Sequence, residues 1–276
     1  NQSANSKSLT INTIQPIKQS NNQLISYTLH LADTTLIMAQ RISEWCAHGP
    51  ILEQDIAITN ISLDLLGQSR NFYQYAALLM NQQADPVTNP VTEDSLAYLR
   101  EEREFKNLLL TELPNGDWAQ TISKLFFFSV FQQLQYEQLR NSKDEQLAGI
   151  AEKSLKEIAY HIRWGSEWVL RLGDGTTESH QRMRKAIDYL WEFTGEFFIP
   201  VEYENKSAEE GFGPAVHLLK DKWMQKVREV FEEATLPMPG DSYMQTGGKT
   251  GTHTEFMGFT LAEMQSLQRT IPGAEW

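Results

Sequence analysis

Between Gln23 and His48 the chain carries no Pro or Gly, and Leu24, Leu31, Met38 and Trp45 recur every seven residues. Ile25, Leu29, Ala32, Leu36, Ala39 and Cys46 fill a second face, so this segment predicts a helix apolar over most of its circumference, as helices inside a bundle are. Gly49-Pro50 breaks it, and Ile51–Met80 repeats the pattern through Ile58, Leu65, Phe72 and Leu79. Pro86 and Pro90 mark a loop. Further helices are predicted over Glu93–Leu113, Asp117–Asn141, Asp144–Leu172 and Ser179–Phe198, with stops at Pro114-Asn115-Gly116 and Gly173-Asp-Gly175. Pro214–Ala234 is another helix, Pro237–Gly251 a loop, and His253–Thr270 a last helix with Thr252 and Glu255 spaced as a capping box. No period-2 segment and no short internal repeat occurs. The predicted fold is all-α, a bundle of long antiparallel helices with additional helices at the C-terminal end.

The residues before Gln23 change the picture: 14 of the first 22 are Asn, Gln, Ser or Thr, a tail's composition with no apolar stretch of a signal peptide. The expected organisation is a polar extension over 1–22 and one helical domain over 23–276. The longest strongly apolar run, Leu125–Phe131, is far short of the ~20 residues of a membrane-spanning helix. A net charge of −12 argues against a nucleic-acid partner, which needs a dense cationic face. The single cysteine, Cys46, excludes an intrachain disulfide and fits a reducing, cytoplasmic setting; it is expected in the core.

Three local motifs carry no chemistry. Gly248-Lys249-Thr250 lacks the first glycine of a phosphate loop, since position 243 is Tyr243, and no strand precedes it. Gly67-Gln-Ser69-Arg-Asn71 lacks the last glycine of a nucleophile elbow, and an all-α chain has no sheet to mount one. Cys46 and His48 have no Cys/His companions for a zinc site.

Polar residues on inward stripes of buried helices are the platform of carboxylate-bridged di-iron sites, which take one carboxylate from each of two helices and a Glu-x-x-His pair from each of two others. The first helix offers His30, Asp33, Gln40 and Glu44, and the second Asn60, Asp64, Gln68 and Asn71. Symmetry about a turn near Gly49 would set Asp33 and Asp64 level with each other. Where the motif then wants His, the residue is Gly67. In the second hairpin His161 stands where a motif histidine would, but the residue three before it is Ile158; Glu157, four before, is rotated off the ideal face. With a turn near Lys143, the opposing stretch Thr121–Phe128 holds no carboxylate, only Lys124. Each half of the site lacks ligands. Asp33 and Asp64 are expected as buried partners of Arg, Asn or Gln, His161 as a hydrogen-bonded core or interface residue, and Glu44 at a helix end.

Leu31-Ala-Asp33, Gln40-Arg-Ile-Ser-Glu-Trp-Cys-Ala-His48, Asn60-Ile-Ser-Leu-Asp-Leu-Leu-Gly-Gln68, Phe105-Lys-Asn-Leu-Leu-Leu110, Lys156-Glu-Ile-Ala-Tyr-His161, Thr246-Gly-Gly-Lys249, Gly251-Thr-His-Thr-Glu255 and Leu261-Ala-Glu-Met-Gln-Ser-Leu-Gln268 occur in that order. Together they resemble the C subunits of bacterial ring 1,2-phenylacetyl-CoA epoxidases, over about Gln23–Trp276. The resemblance implies a ferritin-like fold and a metal-free structural subunit, which agrees with the degenerate positions read from the residues at Asp33, Asp64, Gly67, Lys124, Ile158 and His161. It also implies a partner, the di-iron A subunit that epoxidises the ring with O₂, and electrons from a separate flavin and iron–sulfur reductase. The alternative is an active di-iron oxygenase with irregular ligands Asp33, Asp64, Glu157 and His161. Leu125–Phe131, Trp164 and Trp168 are candidate interface aromatics, and Lys220, Lys222 and Lys249 candidates for docking an acidic reductase or CoA phosphates.

Overall fold

The chain is described by a computed structural model covering residues 8–83 and 90–271, with side chains from residue 21 onward. The predicted periodic segments become α1 (Ser8–Ser43) and α2 (Leu52–Gln83). A short α3 (Glu93–Tyr98) and α4 (Leu109–Glu112) follow, then the second long pair, α5 (Trp118–Leu139) and α6 (Glu145–Gly173). The remainder is α7 (Thr177–Trp191), α8 (Glu202–Glu210), α9 (Lys220–Glu233) and α10 (Glu255–Thr270). No strand occurs among the described residues, so the fold is all-α, as the pattern predicts.

Two hairpins, α1–α2 and α5–α6, make the bundle; α2 packs on α6, and α7 and α9 close over α5. Asp117 and Asp144 start the second pair by accepting from the amides of Gln120 and Leu147, the side-chain capping that satisfies otherwise orphaned N–H groups. On α5 the aromatics Phe126, Phe127, Phe128 and Phe131 are buried, meeting Trp191, Trp223, Phe197 and Phe231. Each contributes about 1.5–3 kcal/mol of hydrophobic stabilisation. The run Leu125–Phe131 is therefore core and offers no aromatic to a partner. Trp164 is also buried, and Trp168 half-buried beside it; both indole N–H groups donate to Gln54 Oε1, at 3.1 and 2.8 Å.

The sequence boundaries need five corrections. Helix α1 starts at Ser8, well inside the expected polar extension; residues 1–7 lie outside the described residues, as do 84–89 with Pro86. The predicted Glu93–Leu113 helix is broken, because Asp33 Oδ2 takes the Lys106 amide and Glu196 Oε2 the Leu109 amide, at 2.8 and 2.7 Å. The predicted Ser179–Phe198 helix ends at Trp191, and a separate 3-10 turn spans Gly195–Phe198. Helix α8 was not predicted; Gly211 ends it at φ 83°, a left-handed conformation suited to glycine. Finally, Thr254 rather than Thr252 caps α10, since the helix begins at Glu255 and the Thr254 hydroxyl oxygen accepts from the Phe256 amide. Burial also differs at one position. Cys46, expected in the core, lies exposed in the turn after α1, beyond the last buried turn of that helix.

Candidate functional site

Helix register decides which of the predicted positions meet. Ser62 Oγ donates to Ala39 O and Ser69 Oγ to Ala32 O, so α1 and α2 pivot about residues 50–51 rather than Gly49. Asp33 is therefore level with residue 68, a turn away from Asp64. Its carboxylate is closed on other partners. Arg100 donates to both oxygens, Nη1 to Oδ2 at 3.2 Å, and the Tyr73 hydroxyl donates to Oδ1 at 2.5 Å. The expected arginine partner is there, brought by the broken α3–α4 segment. Burial disfavours the charged Arg100, but the Asp33 charge overrides it and raises the guanidinium pKa. Burial followed by the Asp33 charge pushes the Tyr73 phenol well up.

Asp64 is half-exposed and pairs with His161, Nε2 to Oδ2 at 3.0 Å, rather than with the expected Arg, Asn or Gln. His161 is fully buried and hydrogen-bonded, the core role expected for it. One turn along the same two helices, Gln68 Nε2 donates to Glu157 Oε2 at 2.9 Å. The i, i+4 spacings on α2 (64, 68) and on α6 (157, 161) thus make two rungs between the helices. Gln132 of α5 extends the second rung, its Nε2 donating to Gln68 Oε1 at 2.9 Å. Gln132 was missed because nothing in a polar residue beside Phe131 marks it as inward-facing; its burial in the folded bundle does.

Lys124 lies fully buried and turns toward the α4–α5 connection, not toward His161. Its Nζ donates to Leu113 O at 2.7 Å and Asn115 Oδ1 at 3.0 Å. Burial, aided by the Arg41 charge and opposed by Glu44, lowers its pKa to about 7. Glu44 follows the end of α1, as expected, and accepts from Arg41 Nη1 at 2.8 Å and Asn115 Nδ2 at 3.0 Å. Gly67 is exposed and Ile158 buried; neither carries a donor side chain. Of the first-stripe residues, His30 is buried against Lys106 O at 2.6 Å, and burial lowers its pKa. Gln40 and Asn71 are half-buried and Asn60 is exposed.

Two further buried clusters fix the C-terminal segment, and sequence reasoning missed both. Lys249 Nζ donates to the two Glu204 oxygens at 3.0 and 2.9 Å and to Ile199 O at 3.1 Å. Being 1% exposed, Lys249 cannot dock a reductase or CoA phosphates; Lys220 and Lys222 remain on the surface. Glu112 is fully buried and accepts from His253 Nδ1 at 3.0 Å and from the Thr254 amide and hydroxyl at 3.0 and 2.9 Å. Burial opposes charge on His253, but the Glu112 hydrogen bond and charge outweigh it and raise the pKa. The intervening loop approaches closely: a Cβ on Gly248 would stand 2.2 Å from Asn107 O. The reading of this stretch from the sequence was the Thr252/Glu255 spacing, which pointed to a helix cap.

A di-iron centre takes four carboxylates and two histidines converging on one point. Here Asp33 is sealed by Arg100, Asp64 meets only His161, and Glu157 is spent on Gln68. Among the described residues no three His, Cys, Asp or Glu side chains converge to hold a metal. The donor set does not fit such a centre. A family profile described as phenylacetic acid catabolic protein matches residues 10–276. The chain belongs to this family. Within the phenylacetic acid catabolic proteins, it is 46% identical over 255 residues to the C subunit of the 1,2-phenylacetyl-CoA epoxidase of Escherichia coli (strain K12), covering 92% of this chain and 100% of that relative. No helix among the described residues of this family member is long and apolar enough to cross a membrane.

Proposed function

We propose that this chain is a structural, non-catalytic subunit of a cytoplasmic, multicomponent phenylacetyl-CoA epoxidase, within one helical domain, and that it holds a di-iron catalytic subunit in aerobic phenylacetate breakdown. The observation that carries this reading is the fate of the ligand positions. Asp33 is closed on Arg100, Asp64 pairs with His161 alone, and Lys124 brings a nitrogen with its own partners to the helix where a carboxylate would be needed. The similarity to the C subunit of an epoxidase supplies the reaction class. In this reading the iron and the O₂ chemistry belong to the partner subunit, and the flavin and iron–sulfur reductase acts on that partner.

The outer face of α2 supports the pairing. Leu52, Ile56, Leu63 and Leu66 are 71, 53, 59 and 44% exposed. Spaced by four, seven and three residues, they form one stripe of a helix whose other side is already buried. A contiguous apolar stripe of this kind marks an interaction surface. Expressing the catalytic subunit without this chain tests the role: aggregation or rapid loss of activity is expected, while a soluble, stable and fully active catalytic subunit would overturn it.

A further inference from the structure

A glycine in the middle of an exposed helix needs a reason, because it disfavours the helix roughly fivefold relative to alanine. Gly67 stands exposed at the middle of α2, and a Cβ built on it would meet no atom of the described residues within 4 Å. Elsewhere in this fold a helical glycine has a use: the Phe126 backbone of α5 passes α6 at Gly165, 3.6 Å from where a Cβ would stand. Gly149 on α6 is as open as Gly67, but its neighbours a turn away are Glu145, Gln146, Glu152 and Lys153. Gly67 instead lies beside the exposed Leu63 and Leu66, inside the apolar stripe. The flanks of that stripe carry mostly one sign of charge. Helices α2 and α3 hold five carboxylates, Glu53, Asp55, Asp64, Glu93 and Asp94, against one cation, Arg70, which lies 3.5 Å from Glu93. Between the two helices Leu66, Ala97 and Tyr98 line an open recess of about 170 Å³ that Glu93 and Asp94 also border.

We propose that a helix of the catalytic subunit, apolar on its contact face and basic at its edges, crosses α2 over Gly67 and lays one lysine or arginine into the recess beside Leu66. The inference rests on the reading of this chain as the subunit that holds the catalytic one. Packed helix axes lie about 8–10 Å apart, a distance set by the side chains between them. A glycine at the crossing brings the axes to the short end of that range, and the incoming helix then covers Leu63 and Leu66 on either side. A long cationic side chain rests its methylenes on Leu66 and Ala97 and keeps its charged head at the acidic border. Arg70 is spent on Glu93, which leaves Asp94 to receive that head. A second copy of this chain is the poorer occupant, because the same face turned on itself sets acids against acids, a juxtaposition that costs affinity.

The test co-expresses the full chain, native or variant, with the catalytic subunit and follows dissociation of the complex on dilution, beside denaturant unfolding of each isolated chain. Gly67→Leu is expected to raise the dissociation constant about tenfold or more, since a bulky side chain overfills the crossing. Gly67→Ala should weaken the complex less while making the isolated chain more stable. Those opposite signs cannot come from a folding defect, so the alanine variant decides if the leucine variant does not fold. Unchanged dissociation for both would overturn the crossing and leave the structural-subunit reading standing. A native chain that forms no complex at all would overturn that reading and the crossing together. Asp94→Lys should weaken the complex several-fold, and less so at high salt; a tighter complex would overturn the basic edge. A native chain that is dimeric alone and becomes monomeric on Gly67→Leu would put a second copy on this face and overturn the proposed occupant.

Discussion

Lys124 carries an amine into the bundle with two acceptors for its protons, Leu113 O and Asn115 Oδ1. Its pKa of about 7 in the folded chain lies below the 10.5 of an ordinary lysine. The unfolded chain therefore binds the proton more tightly, and folding stability rises with pH between about 7 and 10, by at most about 1.4 kcal/mol per pH unit. Comparing denaturant unfolding of the native chain and Lys124→Met across that range should show this slope in the native chain and its loss in the variant; parallel profiles would mean the lysine stays charged in the fold. His253 works in the opposite direction. Its raised pKa gives a contribution fully present below about 6.5, the ordinary histidine value, and lost as pH rises through the folded value. His253→Gln should thus destabilise the chain more at pH 5.5 than at pH 8.5, and an equal loss at both would remove the charged pair with Glu112.

Among the elements, the segment between α3 and α5 shows what was hidden in the sequence. Glu93–Leu113 has the composition of a helix, but its amides at Lys106 and Leu109 are taken by Asp33 and Glu196, residues far away along the chain. No local signal encodes that competition. Asp33 was legible as a buried partner of Arg, Asn or Gln, yet Arg100 could not be named, because it lies 67 residues away along the chain. Removing one member of a buried pair leaves the other charge uncompensated, at about 3–5 kcal/mol. Asp33→Ala is expected to cost that much in denaturant unfolding, and a loss under ~1 kcal/mol would show that the Arg100 pair is dispensable. The long helices were readable because their apolar periodicity is strong, whereas α8, polar and short, gave only the glycine at its end. For α2, Leu63→Glu/Leu66→Glu touches two exposed side chains. The variant should keep native stability to within about 0.5 kcal/mol and lose co-purification with the catalytic subunit. Retained co-purification would place the interface elsewhere.

At the scale of the whole molecule, the polar residues of the two helical hairpins pair with one another or with the adjoining turn: Asp33 with Arg100, Asp64 with His161, Glu157 with Gln68, Gln68 with Gln132, and Lys124 with the α4–α5 turn. The all-α class was legible from residue spacing alone. Register was not, because the pivot of the first hairpin is set by serine-to-backbone bonds between α1 and α2 rather than by the position of Gly49. That small shift is what separates Asp33 from Asp64. A metal-free structural role is tested most directly by the iron content of the purified chain, measured alone and after co-expression with its catalytic partner. Essentially no iron is expected in the isolated chain, and about two irons per heterodimer, the content of one di-iron centre. About two irons bound to the isolated chain would contradict that role.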